Sequence, residues 1–369
     1  MKTYKNLFEK LIDENNLLKA LNKAAIGKRD RATVKELLDD PQKAVKEFRE
    51  KLIAGDVSFK VKDAMIIREG YLKKTRVIIC PEFKTAQWLH HAVVQVLKDF
   101  FCRGMYVYTC GSIPGRGIHY GKKYLEKYIR NNTADIKYAL KLDVKQYYPS
   151  VPIDRVKERL KRQILDERML DILFKILDSN KVRVNGEVME LGLPIGYYTS
   201  QWFANWYLQP LDHFIKEQLH IKCYVRYMDD IVIFGRNKKQ LRKDFEQIRA
   251  YINALGLKVK GNYQIFRFDY FDKRDNNRRK GRPIDFMGFK FYRDKTTIRS
   301  SIFLKARRAV TRIRRKGKIT WYDACQIVSY LGWFYVTDTY GAYKKYIAPY
   351  ISVNKCKKVI SNHYKEKTK

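Results

Sequence analysis

Little in the sequence would cross-link, export or anchor the chain. Its six cysteines include no C-x-x-C pair, and its cysteines and histidines lack the spacing of a zinc site. Residues 1–10 are polar and lack the apolar core of a signal peptide. No run of about 18 apolar residues occurs. These absences predict a reduced cytoplasmic protein that neither spans a membrane nor depends on disulfides or structural zinc.

Acidic residues are scarce as well. The chain has 39 Asp and Glu against 77 Lys and Arg, a formal net charge of +38, while 45% of its residues are hydrophobic. The apolar content predicts a folded chain rather than a disordered one. A protein with this charge repels itself unless an anion binds, and nucleic acid is expected because its phosphates release counterions to Lys and Arg. An anionic membrane surface is the alternative, but no basic helix shows a broad apolar face.

The predicted elements follow an irregular order. Residues 1–60 show helical spacing, and short strands then alternate with helices. Residues 273–282 hold six basic residues and one acid and are predicted to form an exposed loop. Residues 305–318 hold eight basic residues and no acid on a helix with a thin apolar stripe. Strands and helices mixed in this way favour an α+β fold.

Two predicted strands carry carboxylates where apolar residues are expected. Residues 224–234 read YVRYMDDIVIF, with Asp229 and Asp230 adjacent, and residues 140–144 read LKLDV, with Asp143. Adjacent carboxylates repel each other and burial adds to the cost, so the pair is expected at a hairpin tip that faces cations. Three carboxylates on neighbouring strands suit two Mg²⁺ ions roughly 3.5–4 Å apart in phosphoryl transfer. A solvated turn without metal is the alternative.

Residues 227–230 (YMDD) resemble the signature of reverse transcriptases. Further motifs on both sides of it occur in the order found in that family. These are residues 71–81 (YLKKTRVIICP), 111–119 (GSIPGRGIH), 140–151 (LKLDVKQYYPSV), 192–205 (GLPIGYYTSQWFAN), 256–260 (GLKVK) and 285–291 (DFMGFKF). The resemblance implies a right-hand polymerase with fingers, a palm and a helical thumb. Its implied parts are an N-terminal helical extension over 1–60, fingers and palm over 61–295, and a basic helical thumb and tail over 296–369.

The resemblance also implies roles for single residues. Asp143, Asp229, Asp230 and the backbone carbonyl of Val144 would hold two Mg²⁺ ions, and Tyr148 would crowd a 2′-hydroxyl and so favour dNTPs. The other implied contacts are Lys74 or Lys73, Arg76, Val144 and Gln201 with the dNTP, Ile195, Gly196 and Ser200 with the template, and Arg307, Arg308, Arg312 and Arg315 with the duplex.

Residues 195–201 (IGYYTSQ) depart from the usual pattern, which begins Gln-Gly and ends Ser-Pro. The aliphatic residue before the glycine and the Gln after the Ser resemble enzymes of diversity-generating retroelements, which copy a template RNA with frequent errors opposite adenine. That resemblance implies a bacterial or phage-encoded enzyme whose partners are template RNA, the RNA/DNA hybrid, dNTPs and a small basic accessory protein. A defence enzyme that copies its own noncoding RNA is the alternative, and a catalytically silent RNA-binding scaffold is a further one.

Overall fold

The computed structural model describes residues 3–69, 74–276 and 278–368. Contacts within the chain divide it into two compact units. The first is made of Met1–Gly117, Leu142–His220 and Phe245–Asn262, and the second of Ile118–Lys141, Ile221–Asp244 and Tyr263–Lys369. Each unit contains helices and β-sheet, which confirms the predicted α+β class.

The helices and strands have the following bounds. The helices are α1 (Leu7–Leu11), α2 (Glu14–Ala24), α3 (Ala32–Asp39), α4 (Pro41–Ile53), α5 (Trp88–Cys102), α6 (Ile118–Asn131), α7 (Tyr147–Ser150), α8 (Ile153–Lys161), α9 (Glu167–Asp178), α10 (Tyr198–Tyr207), α11 (Gln209–His213), α12 (Lys238–Ala254), α13 (Ser300–Lys316), α14 (Trp321–Tyr335), α15 (Tyr340–Tyr346) and α16 (Val353–Thr368). The strands are β1 (Lys62–Asp63), β2 (Met65–Glu69), β3 (Lys74–Ile78), β4 (Thr109–Cys110), β5 (Tyr138–Asp143), β6 (Lys181–Val184), β7 (Glu187–Glu190), β8 (Tyr224–Tyr227), β9 (Asp230–Gly235), β10 (Gln264–Arg267), β11 (Tyr270–Asp272), β12 (Arg278–Lys280), β13 (Ile284–Phe286), β14 (Phe289–Phe291) and β15 (Thr296–Ile298). No helix in the described ranges is long and apolar enough to cross a bilayer.

The first unit begins with helices α1 to α4, which pack together with α5. The carboxylates of Asp13 and Asp40 accept hydrogen bonds from backbone N–H groups in the first turns of α2 and α4, which would otherwise lack partners. Leu17 is fully buried, and its carbonyl accepts a 2.8 Å hydrogen bond from the indole of Trp88. The Trp88 ring stacks on Phe48 with 4.3 Å between centroids. The helical spacing of residues 1–60 thus forms helices whose apolar faces are anchored on α5.

Two hairpins follow in the first unit. The Asn-Gly dipeptide at positions 185–186 predicts a tight turn between two strands. Strands β6 and β7 form that hairpin, and β1 pairs parallel to β6. The hairpin turns at Asn185 and Gly186, with φ of 52° and 90°. Positive φ at both positions is what a tight two-residue turn needs, which explains the Asn-Gly pair. Strand β3, paired with β2, lies within the motif at residues 71–81, of which residues 71–73 lie outside the described ranges.

The second unit contains the sheet that bears the paired aspartates. Strands β10, β5, β9 and β8 are neighbours in it, in that order. The antiparallel register of β8 and β9 pairs Tyr224 with Ile233. Ile231, Val232 and Ile233 are all fully buried, so β9 is apolar on both of its faces. Burial on both faces agrees with an interior strand, which leaves only its ends for charged residues.

The exposed loop predicted for residues 273–282 is wrong in part. The segment is exposed, but β11 and β12 form an antiparallel ribbon that pairs Tyr270 with Lys280. The Nζ of Lys280 lies 2.9 Å from a carboxylate oxygen of both Asp272 and Asp275, so ion pairs tie the strands together. Gly281 directly follows β12 and has φ of 146°, and a Cβ there would lie 2.0 Å from the carbonyl oxygen of Phe268.

The C-terminal helical module (residues 296–368) has its own apolar core in the second unit. The stripe on α13 enters that core with Ala306, Ala309, Val310 and Ile313. Helices α14 to α16 supply the other side, with Ile327, Leu331, Phe334, Tyr343 and Cys356 among the buried residues. Gly317, with φ of 68°, ends α13 in a left-handed conformation that glycine adopts readily. The basic helix is therefore held by one narrow face, which leaves its cationic side chains at the surface.

Candidate functional site

Asp229 and Asp230 lie at the turn between β8 and β9, as predicted for a hairpin tip. Strand β8 ends at Tyr227, which pairs with Asp230 in the antiparallel register. Met228 has φ of 56°, an uncommon left-handed conformation for a residue with a side chain. The fully buried guanidinium of Arg226 donates a 2.9 Å hydrogen bond to the Met228 carbonyl. A buried cation therefore fixes the turn that carries both carboxylates.

A lysine of the neighbouring strand faces Asp230. The Nζ of Lys141 on β5 lies 3.5 Å from Oδ2 of Asp230, and both side chains are about one-quarter to one-third exposed (27% and 30%). The separation exceeds that of a strong charge-assisted hydrogen bond, about 2.7–2.9 Å. The pair is loose and open to solvent, and it lowers the cost of holding the carboxylate here.

Asp143 is the last residue of β5 and belongs to the first unit. Its carbonyl accepts a 2.8 Å hydrogen bond from the N–H of Lys260, whose Nζ lies 3.5 Å from Oδ2 of Asp143. The N–H of Lys145 donates to the carbonyl of Lys258 at 2.7 Å. These two bonds flank the bridge between Val144 and Val259, so Val144 occupies a non-hydrogen-bonded position of this short ladder. The ladder fixes the backbone on both sides of the Val144 carbonyl.

The backbone of Tyr148 is locked against residues 192–193. The N–H of Leu193 donates a 2.8 Å hydrogen bond to the Tyr148 carbonyl, and that of Gly192 donates to Pro149 at 3.0 Å. A Cβ on Gly192 would lie 2.6 Å from the Tyr148 carbonyl oxygen, so only glycine permits this approach. The Tyr148 ring is half-buried and meets the buried ring of Tyr147 edge-on. These contacts join residues 140–151 to residues 192–205, the predicted template motif.

The template motif also meets the end of β3. The N–H of Ile79 donates a 2.8 Å hydrogen bond to the carbonyl of Ile195. Gly196 has φ of 116°, and a Cβ there would lie 2.0 Å from the Ile79 carbonyl oxygen. Arg76 is exposed on the same strand, three residues earlier. Lys74 begins β3, but its side chain and all of Lys73 lie outside the described part of the chain.

Helix α10 carries the remaining template and nucleotide candidates. Ser200 is buried and Gln201 is exposed. The adjacent Thr199 hydroxyl lies 2.9 Å from Nδ1 of His90 on α5. Complete burial, with a smaller contribution from His91, lowers the pKa of His90 to about 3. The imidazole is therefore neutral at pH 7, and it supports α10 as a hydrogen-bonding group rather than as a charge.

A surface groove of about 520 Å³ runs along α13, in the second unit. All four arginines predicted to contact a duplex line it. The lining residues are Leu304, Arg307, Arg308, Thr311, Arg312, Arg315 and Lys316. Guanidinium groups suit phosphate oxygens because they can donate two parallel hydrogen bonds. The groove is thus a strongly cationic surface without an acid in its lining.

One of these arginines also supports the fold. Arg312 donates a 2.9 Å hydrogen bond to Oδ1 of Asp323, which is fully buried at the start of α14. Burial raises the pKa of Asp323, but hydrogen bonds from Thr320, Arg312 and Lys316 outweigh it and hold that pKa at about 2. The carboxylate stays ionised at neutral pH and ties α13 to α14. Arg312 therefore has a structural contact that the sequence did not indicate.

Three supporting cations were missed at the sequence level. Lys141 and Lys260 stand beside Asp230 and Asp143, and Arg226 lies under the turn. Of the three, only Lys141 could have been identified from the sequence. Alternate residues of a strand share a face, so the LKLD pattern places Lys141 on the same face of β5 as Asp143. Among the residues that the structure describes, no group of three or more His, Cys, Asp or Glu is arranged to hold a metal ion. The metal-binding role of the three aspartates therefore stays a prediction.

Comparison with known proteins places these motifs in a family. The family model described as "Reverse transcriptase (RNA-dependent DNA polymerase)" matches residues 62–291, the whole stretch from β1 to β14. A solved structure, "Structure of apo telomerase from Candida Tropicalis", aligns with 64% of this chain at 14% identity and a TM-score of 0.46. The chain spans about half (48%) of that telomerase chain. The family match confirms the predicted right-hand polymerase class, and the chain belongs to the reverse transcriptase family.

Proposed function

We propose that this protein copies an RNA template into DNA from deoxynucleoside triphosphates. The observation that carries the proposal is the Asp229–Asp230 turn, held between two antiparallel strands beside β5. Membership of the reverse transcriptase family supports the same reaction. A +38 net charge and an arginine-lined groove on α13 suit binding of the template and of the RNA/DNA hybrid through their phosphates.

The donor chemistry fits two Mg²⁺ ions held by Asp143, Asp229, Asp230 and the Val144 carbonyl. All four donors are hard oxygen ligands of the kind that Mg²⁺ prefers. Lys141 lies 3.5 Å from Asp230 in the second unit, and Lys260 lies 3.5 Å from Asp143 in the first unit. When bound, the ions would lower the pKa of the primer 3′-hydroxyl and neutralise charge on the triphosphate. The loose lysine pairs would stabilise the carboxylates before ions bind.

We assign the dNTP contacts to residues of the first unit. Arg76, with Lys74 beside it in sequence, would bind the triphosphate, and Gln201 would contact the same nucleotide. Ile195, Gly196 and Ser200 would support the template base. The backbone contacts between β3, residues 192–196 and Tyr148 support this assignment because they hold these segments together.

Tyr148 is expected to exclude ribonucleotides. Tyr148→Ala should lower the preference for dNTP over rNTP by about 10–100-fold, because removing the ring opens space for a 2′-hydroxyl. The check is the ratio of kcat/KM for dCTP and CTP. Tyr148→Phe keeps the ring and should keep the preference. An unchanged ratio in the Ala variant would rule out this role.

We further propose error-prone copying of the diversity-generating type, with Ile195 as a determinant. Its backbone is held by Ile79, so a new side chain should not displace the loop. Ile195→Gln restores an amide that can hydrogen-bond near the nascent pair. One hydrogen bond contributes about 1 kcal/mol, so errors opposite template adenine should fall about fivefold. Sequencing of the cDNA measures this, with Ile195→Leu as the matched control; equal error rates in all three proteins would contradict the proposal.

The reaction class has its own test. The same sequence is offered as RNA and as DNA template, each with an annealed primer, dNTPs and Mg²⁺. The proposed function predicts extension on RNA; extension on DNA alone would contradict it. RNA that copurifies with the protein would separate the biological roles: a repeat-derived template favours the diversity-generating role with its accessory protein, whereas one structured noncoding RNA favours defence.

A further inference from the structure

Two exposed tyrosines stack on each other where α14 ends and α15 begins. Tyr335 is 60% exposed and Tyr340 is 37% exposed. Their ring centroids are 5.3 Å apart, with 27° between the planes. Tyr340 stacks in turn on the buried ring of Tyr343, at 5.4 Å and 21°. Large aromatic rings that lie side by side in solvent mark an interaction surface more often than single exposed rings do.

The connection between the two helices fixes the rings. The Thr337 hydroxyl donates a 2.9 Å hydrogen bond to the carbonyl of Trp333 and so ends α14. Asp338 exchanges two 2.8 Å hydrogen bonds with Thr296: its N–H donates to the Thr296 carbonyl, and its carboxylate accepts from the Thr296 N–H. Asp338 is the one acid between Asp323 and Glu366, and it is engaged with β15. These contacts fix the segment between the two rings to β15.

Cations lie beside aromatic rings of α15. The Nζ of Lys344 lies 5.2 Å from the Tyr340 ring centroid, and that of Lys345 lies 5.4 Å from the Tyr346 centroid. The guanidinium of Arg307 on α13 lies 4.8 Å from the centroid of the same Tyr346 ring. Lys344 is therefore the cation next to the exposed tyrosine pair.

This combination favours an unpaired nucleic-acid strand over other anions. Flat rings bind bases by stacking, and neighbouring cations bind the phosphates between them. A duplex presents its phosphates but keeps its bases stacked inside. An acidic protein would use the cations and would gain little from a stacked tyrosine pair.

We propose that Tyr335, Tyr340 and Lys344, the tyrosine platform, bind single-stranded RNA: the two rings stack on unpaired bases, and Lys344 contacts a phosphate. The choice of RNA rests on the proposed function, whereas the stacking chemistry does not. Unpaired RNA held here would be a contact additional to the polymerase active site and to the arginine groove.

Binding of a fluorescent, unstructured 12-nucleotide RNA tests the platform, with the same sequence annealed as a duplex and as single-stranded DNA. Tyr335→Ala with Tyr340→Ala should weaken single-stranded RNA binding about tenfold and change duplex binding less than twofold. Tyr335→Phe with Tyr340→Phe keeps the rings and should bind like the unaltered protein. Thermal unfolding tests whether the variants are folded. If the double Ala variant is unfolded, Tyr335→Ala alone is compared with Tyr335→Phe. The single Ala variant should then bind single-stranded RNA about threefold more weakly.

The outcomes separate clearly. Unchanged single-stranded binding in the Ala variant, or an equal loss on the duplex, would overturn the platform. A tenfold loss on DNA alone would overturn the choice of RNA. The assay needs no polymerisation, so failure of the proposed reaction would leave its result standing.

Discussion

Replacing Asp229 by Asn is expected to slow nucleotide addition by about 10³-fold or more while leaving RNA affinity unchanged. A metal-ligating carboxylate contributes several kcal/mol to transition-state stabilisation, and each 1.36 kcal/mol is a factor of ten in rate. The substitution keeps the shape of the side chain, so the turn set by Met228 and Arg226 should persist. Single-turnover primer extension measures the rate, and filter binding measures RNA affinity.

The matched control for this prediction is Asp171→Asn. Asp171 lies on α9, is 56% exposed and pairs with Lys175 one turn away. Removing that carboxylate changes the net charge equally, but exposed pairs of this kind contribute only about 0.3–0.5 kcal/mol. Extension by the control should match the unaltered protein. A rate for Asp229→Asn within tenfold of the control would contradict the assigned role.

Gly196→Ala is expected to lower kcat/KM for dNTPs by about 100-fold. The new Cβ would lie 2.0 Å from the Ile79 carbonyl oxygen, so the loop must move and its hydrogen bond from Ile79 must break. A displacement of about 1 Å in a positioning segment can cost 10²-fold in rate. The left-handed φ of 116° adds about 1–3 kcal/mol of backbone strain for a residue with a side chain. Steady-state kinetics and thermal unfolding measure the two effects.

Gly186→Ala separates the close contact from the strain. Gly186 also has a positive φ, 90°, but nothing lies within 4 Å of a Cβ placed there. Its variant should lose stability through strain alone and keep kcat/KM within about threefold, because the turn lies outside the assigned dNTP contacts. Equal kinetic losses in the two variants would show that the contact between residues 196 and 79 has no role in positioning.

The sequence predicted those features that follow from a conflict between residue type and pattern. Two adjacent acids cannot lie inside an apolar strand, so the hairpin tip at Asp229 and Asp230 followed directly. Asn185-Gly186 predicted a tight turn for the same kind of reason, because few other residues accept its φ angles. The irregular order of strands and helices predicted the α+β class.

Features that depend on pairing across the chain were not accessible. Residues 273–282 were predicted to form a loop because they are strongly basic. A count of charges does not show that Asp272 and Asp275 both pair with the ammonium group of Lys280. Lys260 is 117 residues from the Asp143 that it contacts, and no local pattern connects them. Buried His90 gave no sign of supporting α10, because its contact with Thr199 exists only once the two helices pack.

Extension of a primer on a heteropolymeric RNA template, with four dNTPs and Mg²⁺ and with sequencing of the product, decides whether the protein copies RNA into DNA. The expected product is DNA complementary to the RNA along its length, and no product is expected when EDTA removes the metal. Absence of DNA from the folded, RNA-bound protein, or addition of nucleotides unrelated to the template, would contradict the proposed function.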